Sequence, residues 1–199
     1  MAIVEQQTRG DSVGWRCDSS KMLFESKWYD LRSDRVALPD GKVISYTFMQ
    51  HPGAALVIPI TTEGKVVLMR SYRYPVDEWC WGLPGGGLGD KDGSSPEDVA
   101  RAELGEELGA SAAELQYLGA YFLATGVAEL RVHYFLATEV ELDLATQREA
   151  TEVIDGVEVC SVEEAIEKIS QGEINEVESA FGIMLASQFL AASPPRKPR

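Results

Sequence analysis

Apolar residues in this chain come in short runs of strand length, broken by three stretches with helical spacing. Residues 1–20 are polar with little periodicity and read as a loosely held tail. From Leu23 to Gln50, two runs rich in Val, Ile, Tyr and Phe flank Pro39-Asp40-Gly41, a turn signal between strands. Ala54–Ile60 and Lys65–Arg70 read as buried strands joined by Thr61-Thr62-Glu63-Gly64. Further strands fall around Leu115–Phe122, at Leu130–Thr138 after the turn Thr125–Ala128, and at Val153–Cys160. Between the last two, residues 139–152 are polar and acidic, with the look of a loop over a site. Ser161-Val162-Glu163-Glu164 is a capping box that opens a helix running through Ser170 and ending at Gly172. Ile174–Leu190 predicts a last helix, with Val177, Phe181, Met184, Leu185 and Phe189 at core spacing. The proline-rich, basic residues 193–199 read as a disordered tail.

The chemistry gathers between Gly82 and Gly109. A glycine-rich loop leads to Ser95, a helix cap, with Pro96 at the first helical position and Asp98 three residues after the cap. Gly109 is placed to end the helix in the left-handed conformation. At about 100° per residue, Ala100, Leu104 and Leu108 share one face and Glu103, Glu106 and Glu107 a neighbouring arc. Like charges at these spacings repel by a few tenths of a kcal/mol per pair. Anions in a last helical turn are also disfavoured by roughly 0.3–1 kcal/mol each when exposed. A solvated acidic face is the plain reading. The triple-glycine loop, which brings backbone carbonyls beside the carboxylates, favours instead a hard divalent cation held by oxygen ligands.

The net charge of −14 over 199 residues argues against a nucleic-acid footprint, which needs a basic stripe. It does not exclude a phosphorylated small molecule, because metal ions screen carboxylates from phosphates. No apolar run approaches the 18 residues of a membrane span, and no signal-peptide pattern opens the chain. Cys17, Cys80 and Cys160 are odd in number and far apart, so they read as reduced thiols of a cytoplasmic protein.

The segment from Gly82 to Gly109 resembles the Nudix box, G-x5-E-x7-R-E-U-x-E-E-x-G-U. Glu103-Leu104-Gly105-Glu106-Glu107-Leu108-Gly109 fits its second half residue by residue. The first half departs: the pattern's arginine falls on Ala102, with Arg101 one place early, and its upstream glutamate on Ser94. Leu23–Gln50 is similar to the N-terminal β-extension of ADP-ribose pyrophosphatase-like members, which implies homodimerisation and a hold on the nucleoside. Trp28, Tyr29, Tyr46 and Phe48 would then stack on a base, unless they fill core or interface. Arg70-Ser71-Tyr72-Arg73-Tyr74-Pro75-Val76 is similar to the group's R-Q-Y-R-x-P-V, which implies contacts of Arg73 and Arg70 with a diphosphate. Gly82 stands where the group has the glutamate of E-L-P-A-G, and Trp79 and Trp81 beside it read as core.

The resemblance implies an α/β (α+β) fold, the Nudix α/β/α sandwich with a mixed central sheet. It divides the chain into a flexible tail (1–20), a dimerising β-extension (21–52), a hydrolase domain (53–192) and a disordered tail (193–199). It implies Mg²⁺, with Mn²⁺ the other candidate, held by Glu103, Glu106, Glu107 and the Gly87 carbonyl. Glu152, or Glu149, would be the general base. The expected reaction is hydrolysis of ADP-ribose or a related nucleoside diphosphate sugar to a nucleoside monophosphate and a sugar phosphate. The alternatives are another nucleotide substrate, or a Nudix-fold protein that binds nucleotides without turnover. The expected partner is a nucleotide-sugar small molecule, with no nucleic acid and no membrane.

Overall fold

A computed structural model describes residues 9–90, 93–142 and 153–192, the Asp90 side chain excepted. Its strands are β1 (Arg16–Phe24), β2 (Asp30–Ala37), β3 (Val43–Gln50), β4 (Ala54–Thr61), β5 (Val66–Arg73), β6 (Glu78–Gly82), β7 (Gly85–Gly87), β8 (Ala110–Ser111), β9 (Leu115–Leu123), β10 (Ala128–Leu142) and β11 (Ile154–Cys160). Its helices are α1 (Pro96–Leu108), α2 (Val162–Gln171) and α3 (Val177–Ala192). The chain divides into two compact units, Met1–Pro52 with Phe122–Leu130, and Gly53–Tyr121 with Arg131–Arg199.

The first unit is an antiparallel meander. β2 and β3 pair from Asp30↔Gln50 to Ala37↔Val43 across the expected turn, which Gly41 closes at φ 83°. Ala128 and Glu129, at the start of β10, pair in parallel with Met49 and Gln50. Strand structure begins at Arg16, inside the stretch expected to be a tail. β1 shows no apolar alternation because nearly all of it is exposed; it exists through its ladder with β2, Arg16↔Ala37 to Phe24↔Leu31. Asp34 is buried, and its carboxylate accepts two bonds from Arg32, at 2.7 Å from Nε and 3.0 Å from Nη2.

The second unit is a mixed sheet between helices. β10 runs parallel to β4 from Val132↔Ala54 to Ala137↔Pro59, whereas β5 is antiparallel to β6 and β11. Side chains alternate across a sheet, so each buried strand feeds two cores. Ala55, Val57, Val67, Met69, Phe135 and Ala137 meet Val99, Ala100, Leu104 and Leu108 of α1 on one face. α3 takes the other, where Leu83 and Tyr134 lie against Gly182.

Local chemistry sets the helix ends. Ser95 Oγ accepts from the Asp98 N–H at 3.2 Å, and Asp98 Oδ2 accepts from the Ser95 N–H at 3.0 Å. Gly109 ends α1 at φ 61°, its N–H bonding the Gly105 carbonyl at 2.9 Å. The α2 box at Ser161 and Glu164 forms in the same way.

α3 turns a different face inward from the one its large residues predict. Val177, Phe181, Met184 and Phe189 are 61%, 37%, 41% and 39% exposed, while Ser179, Gly182, Ile183 and Ala186 are buried. The reason is close approach: a Cβ at Gly182 would stand 2.9 Å from Leu83 Cδ1 and 3.2 Å from the Tyr134 ring. Gly182 and Ala186 therefore take the line of closest approach with Ile183 packed beside them, and the other large residues are displaced to the flanks. Trp79 is likewise exposed on β6 rather than in the core, edge-on to Tyr72, and Trp81 is half-buried. Among the described residues, no helix is long and apolar enough to cross a membrane.

Candidate active site

The acidic arc of α1 faces the triple glycine, not bulk solvent. Glu103 is 6% exposed and Glu107 3%, with Glu106 half-buried between them. The Gly85 N–H donates to Glu107 Oε2 at 2.7 Å. A Cβ at Gly86 would lie 2.3 Å from Glu103 Oε1, so only glycine lets β7 pass this close to the carboxylate. Gly87, in the same strand, pairs with Ala54. A helical turn whose hydrophobic stripe is Ala100, Leu104 and Leu108 thus carries two carboxylates into a desolvated place, where an uncompensated charge costs several kcal/mol.

Arg73, at the end of β5, brings positive charge to this region. Burial opposes its charged form, but the hydrogen bond and field of Glu176, together with the field of Glu107, outweigh it and raise its pKa. Arg73 Nε donates to Glu176 Oε1 at 2.5 Å. Burial and the negative charge of Glu176 push the neighbouring Cys80 thiol up as well. Arg70 pairs with Asp155 at 3.3 Å and lies over the Trp79 ring, 5.3 Å from its centroid. Arg101, one place early for the box pattern, pairs with Glu97 and donates to the Ala112 carbonyl on the exposed side of α1.

In the first unit, Trp15, Val36, Tyr46, Phe48 and Val127 line a largely apolar cavity of about 260 Å³. Tyr46 packs edge-on to Phe48, and its hydroxyl donates to the Gly126 carbonyl at 3.4 Å. Trp28 is exposed, outside this cavity, with Lys27 Nζ 3.9 Å from its ring centre. Glu149 and Glu152 lie outside the described residues.

Among the described residues, no three His, Cys, Asp or Glu side chains form a ready-made metal cluster. The donor set nevertheless fits a hard divalent ion. Glu103 and Glu107 are oxygen donors one turn apart, buried against a strand that has no side chains to block access. The residues that pattern-reading missed are Glu176 and Ser179, brought in by α3. The one signal was Gly82: a missing side chain there leaves room for another to enter.

Residues 49–179, the span that holds this arrangement, match the NUDIX domain family, and residues 15–49 match the nucleoside diphosphate sugar hydrolase N-terminal domain. A mixed sheet between helices with an acidic, capped helix over a glycine strand is thus the scaffold of a pyrophosphate-bond hydrolase. The chain belongs to the Nudix family. An ADP-ribose pyrophosphatase of Bacillus subtilis is 31% identical over 166 residues, 83% of this chain and 88% of that one. A methanol dehydrogenase activator of Bacillus methanolicus is 27% identical over 165 residues, 82% of this chain and 88% of that one. The crystal structure of an ADP compounds hydrolase has the same fold, with a TM-score of 0.76 over 89% of this chain and 94% of the other at 18% identity.

Proposed function

We propose that this protein hydrolyses the diphosphate of ADP-ribose, or of a related nucleoside diphosphate sugar, to a nucleoside monophosphate and a sugar phosphate. The observation that carries this reading is the burial of Glu103 and Glu107 against Gly85–Gly87 with Arg73 close enough to feel the Glu107 charge. Similarity to an ADP-ribose pyrophosphatase along 83% of the chain supports the substrate class.

Glu103, Glu106, Glu107 and the Gly87 carbonyl are the residues that would hold Mg²⁺ or Mn²⁺. When bound, such an ion lowers the pKa of water and screens the diphosphate. Arg73, with Arg70 on the same strand, binds phosphate oxygens through the guanidinium fork. Glu152 takes the proton of the attacking water, with Glu149 the neighbouring candidate. Tyr46, on the wall of a largely apolar cavity, and Trp28, outside it, are the rings that would receive a base. The working form is a cytoplasmic homodimer built through residues 21–52.

The test is a panel of nucleotide substrates with magnesium, with manganese and with chelator. Cleavage of ADP-ribose that needs metal and is lost on the order of 10²–10³-fold in Glu107→Gln supports the proposal. Metal-dependent cleavage of a different nucleotide, with ADP-ribose untouched, replaces the substrate and keeps the metal site. Full activity in Glu107→Gln overturns the site.

A further inference from the structure

Glu176 sits just before α3 and turns its carboxylate into the sheet, so that its side chain is 16% exposed. Its Oε1 accepts from Arg73 Nε, while Oε2 accepts from Ser179 Oγ at 3.2 Å and lies 3.5 Å from Arg73 Nη2. Ser179, 1% exposed, accepts in turn from the Leu83 N–H at 2.9 Å. A chain of hydrogen bonds therefore runs from the backbone between β6 and β7, through Ser179 and Glu176, to the Arg73 guanidinium.

The network occupies one particular space. A Cβ at Gly82 would stand 2.3 Å from Glu176 Oε2 and 2.8 Å from Ser179 Oγ. Glycine at 82 is thus the condition for Glu176 to reach Arg73. A carboxylate from α3 stands where a side chain at position 82 would begin.

An exposed ion pair of this kind would contribute little to stability and nothing to the site. This pair differs because both oxygens of Glu176 are engaged and the serine that orients them is bonded to backbone. Such a support fixes a guanidinium in one place at little further entropic cost. Nε and Nη2 face Glu176, which leaves Nη1 outside this pair.

We propose that Glu176 is a positioning residue of the diphosphate site, holding Arg73 in place for a phosphate. The inference rests on Arg73 being the cation that meets the diphosphate.

The test is calorimetric binding of ADP, magnesium present, to wild type, Arg73→Ala, Glu176→Ala and the double variant. Each single change weakens ADP on the order of tenfold to a hundredfold, and the double variant is no weaker than Arg73→Ala alone. Glu176→Gln, which keeps the volume if Glu176→Ala fails to fold, shifts binding the same way. Additive losses, or unchanged affinity in both Glu176 variants, overturn the inference. A rescue adds a readout that a merely structural role would not move. An aspartate at position 82 holds its oxygens at about the distance from Cβ at which Glu176 Oε2 now lies. Gly82→Asp therefore recovers binding in the Glu176→Ala background and impairs it in wild type. No recovery also overturns the inference. Cleavage of ADP-ribose is measured in parallel. Wild type that binds ADP in this Arg73-dependent, non-additive way but cleaves no ADP-ribose overturns the proposed reaction and leaves Glu176 in its role. Cleavage indifferent to Glu176 does the reverse.

Discussion

Gly86→Ala adds one methyl group where β7 meets the acidic face of α1. Built on the present backbone, that methyl lies 2.3 Å from Glu103 Oε1, 2.6 Å from Cδ and 3.1 Å from Cγ. Restoring an ordinary contact of 3.4 Å moves the carboxylate by about 1 Å, the difference between the two distances. The displaced group is the far end of a flexible side chain, so the fold is barely taxed. Overpacking costs about 1 kcal/mol, the low end of its usual range, because Ala100, Leu104 and Leu108 stay seated. Catalysis is more sensitive, since a misplacement of about 1 Å costs on the order of 10²-fold. We expect kcat/KM for ADP-ribose to fall by that factor, a higher magnesium requirement, and a thermal midpoint lowered by only a few degrees. Initial rates of nucleoside monophosphate release across a magnesium titration, with a melting curve on the same sample, measure all three. A folded Gly86→Ala protein with wild-type kcat/KM would refute the reasoning, because Glu103 would then be free to move without consequence.

Other outcomes follow from the same geometry. Asp34→Asn strands the guanidinium of Arg32 and lowers unfolding stability by about 2–3 kcal/mol at neutral pH, read by denaturant titration. Burial works against the Asp34 carboxylate, but the hydrogen bonds from Arg32 and Ser20 and the charges of Arg32 and Arg9 prevail and hold its pKa below the usual carboxylate range. The pair's contribution is therefore complete above the ordinary carboxylate pKa and lost as pH falls through the lowered one, and the variant loses this part of the acid transition. Ser95→Ala removes the hydroxyl half of the α1 capping box, the Oγ that accepts from the Asp98 N–H, leaves the backbone half in place, and costs about 1 kcal/mol, with a corresponding drop in thermal midpoint. Tyr46→Ala raises KM for ADP-ribose by roughly tenfold, about 1–3 kcal/mol of base stacking, and leaves inorganic pyrophosphate binding unchanged. Equal losses for both ligands would place the base elsewhere.

The sequence by itself determined the elements whose causes are local. The α1 cap, stripe and terminator lie within one stretch of 15 residues, Ser95 to Gly109, and each interaction spans three or four positions. The same holds for α2, and for β4 and β5, whose apolar runs declare burial on both faces. The three glutamates were legible because their spacing on a helix is arithmetic. Whatever depends on a distant partner was decided by the tertiary structure. β1 exists through pairing with β2, with no apolar signal of its own. α3 turns Gly182 and Ala186, with Ile183, to the sheet rather than Phe181 or Met184 because backbone approach at Gly182 outranks side-chain size. Arg73 and Glu176 lie 103 positions apart, and nothing local to either says that they meet. Turn and helix energies are written in neighbours, whereas the charge balance of a buried site is set by which strands and helices the fold brings together.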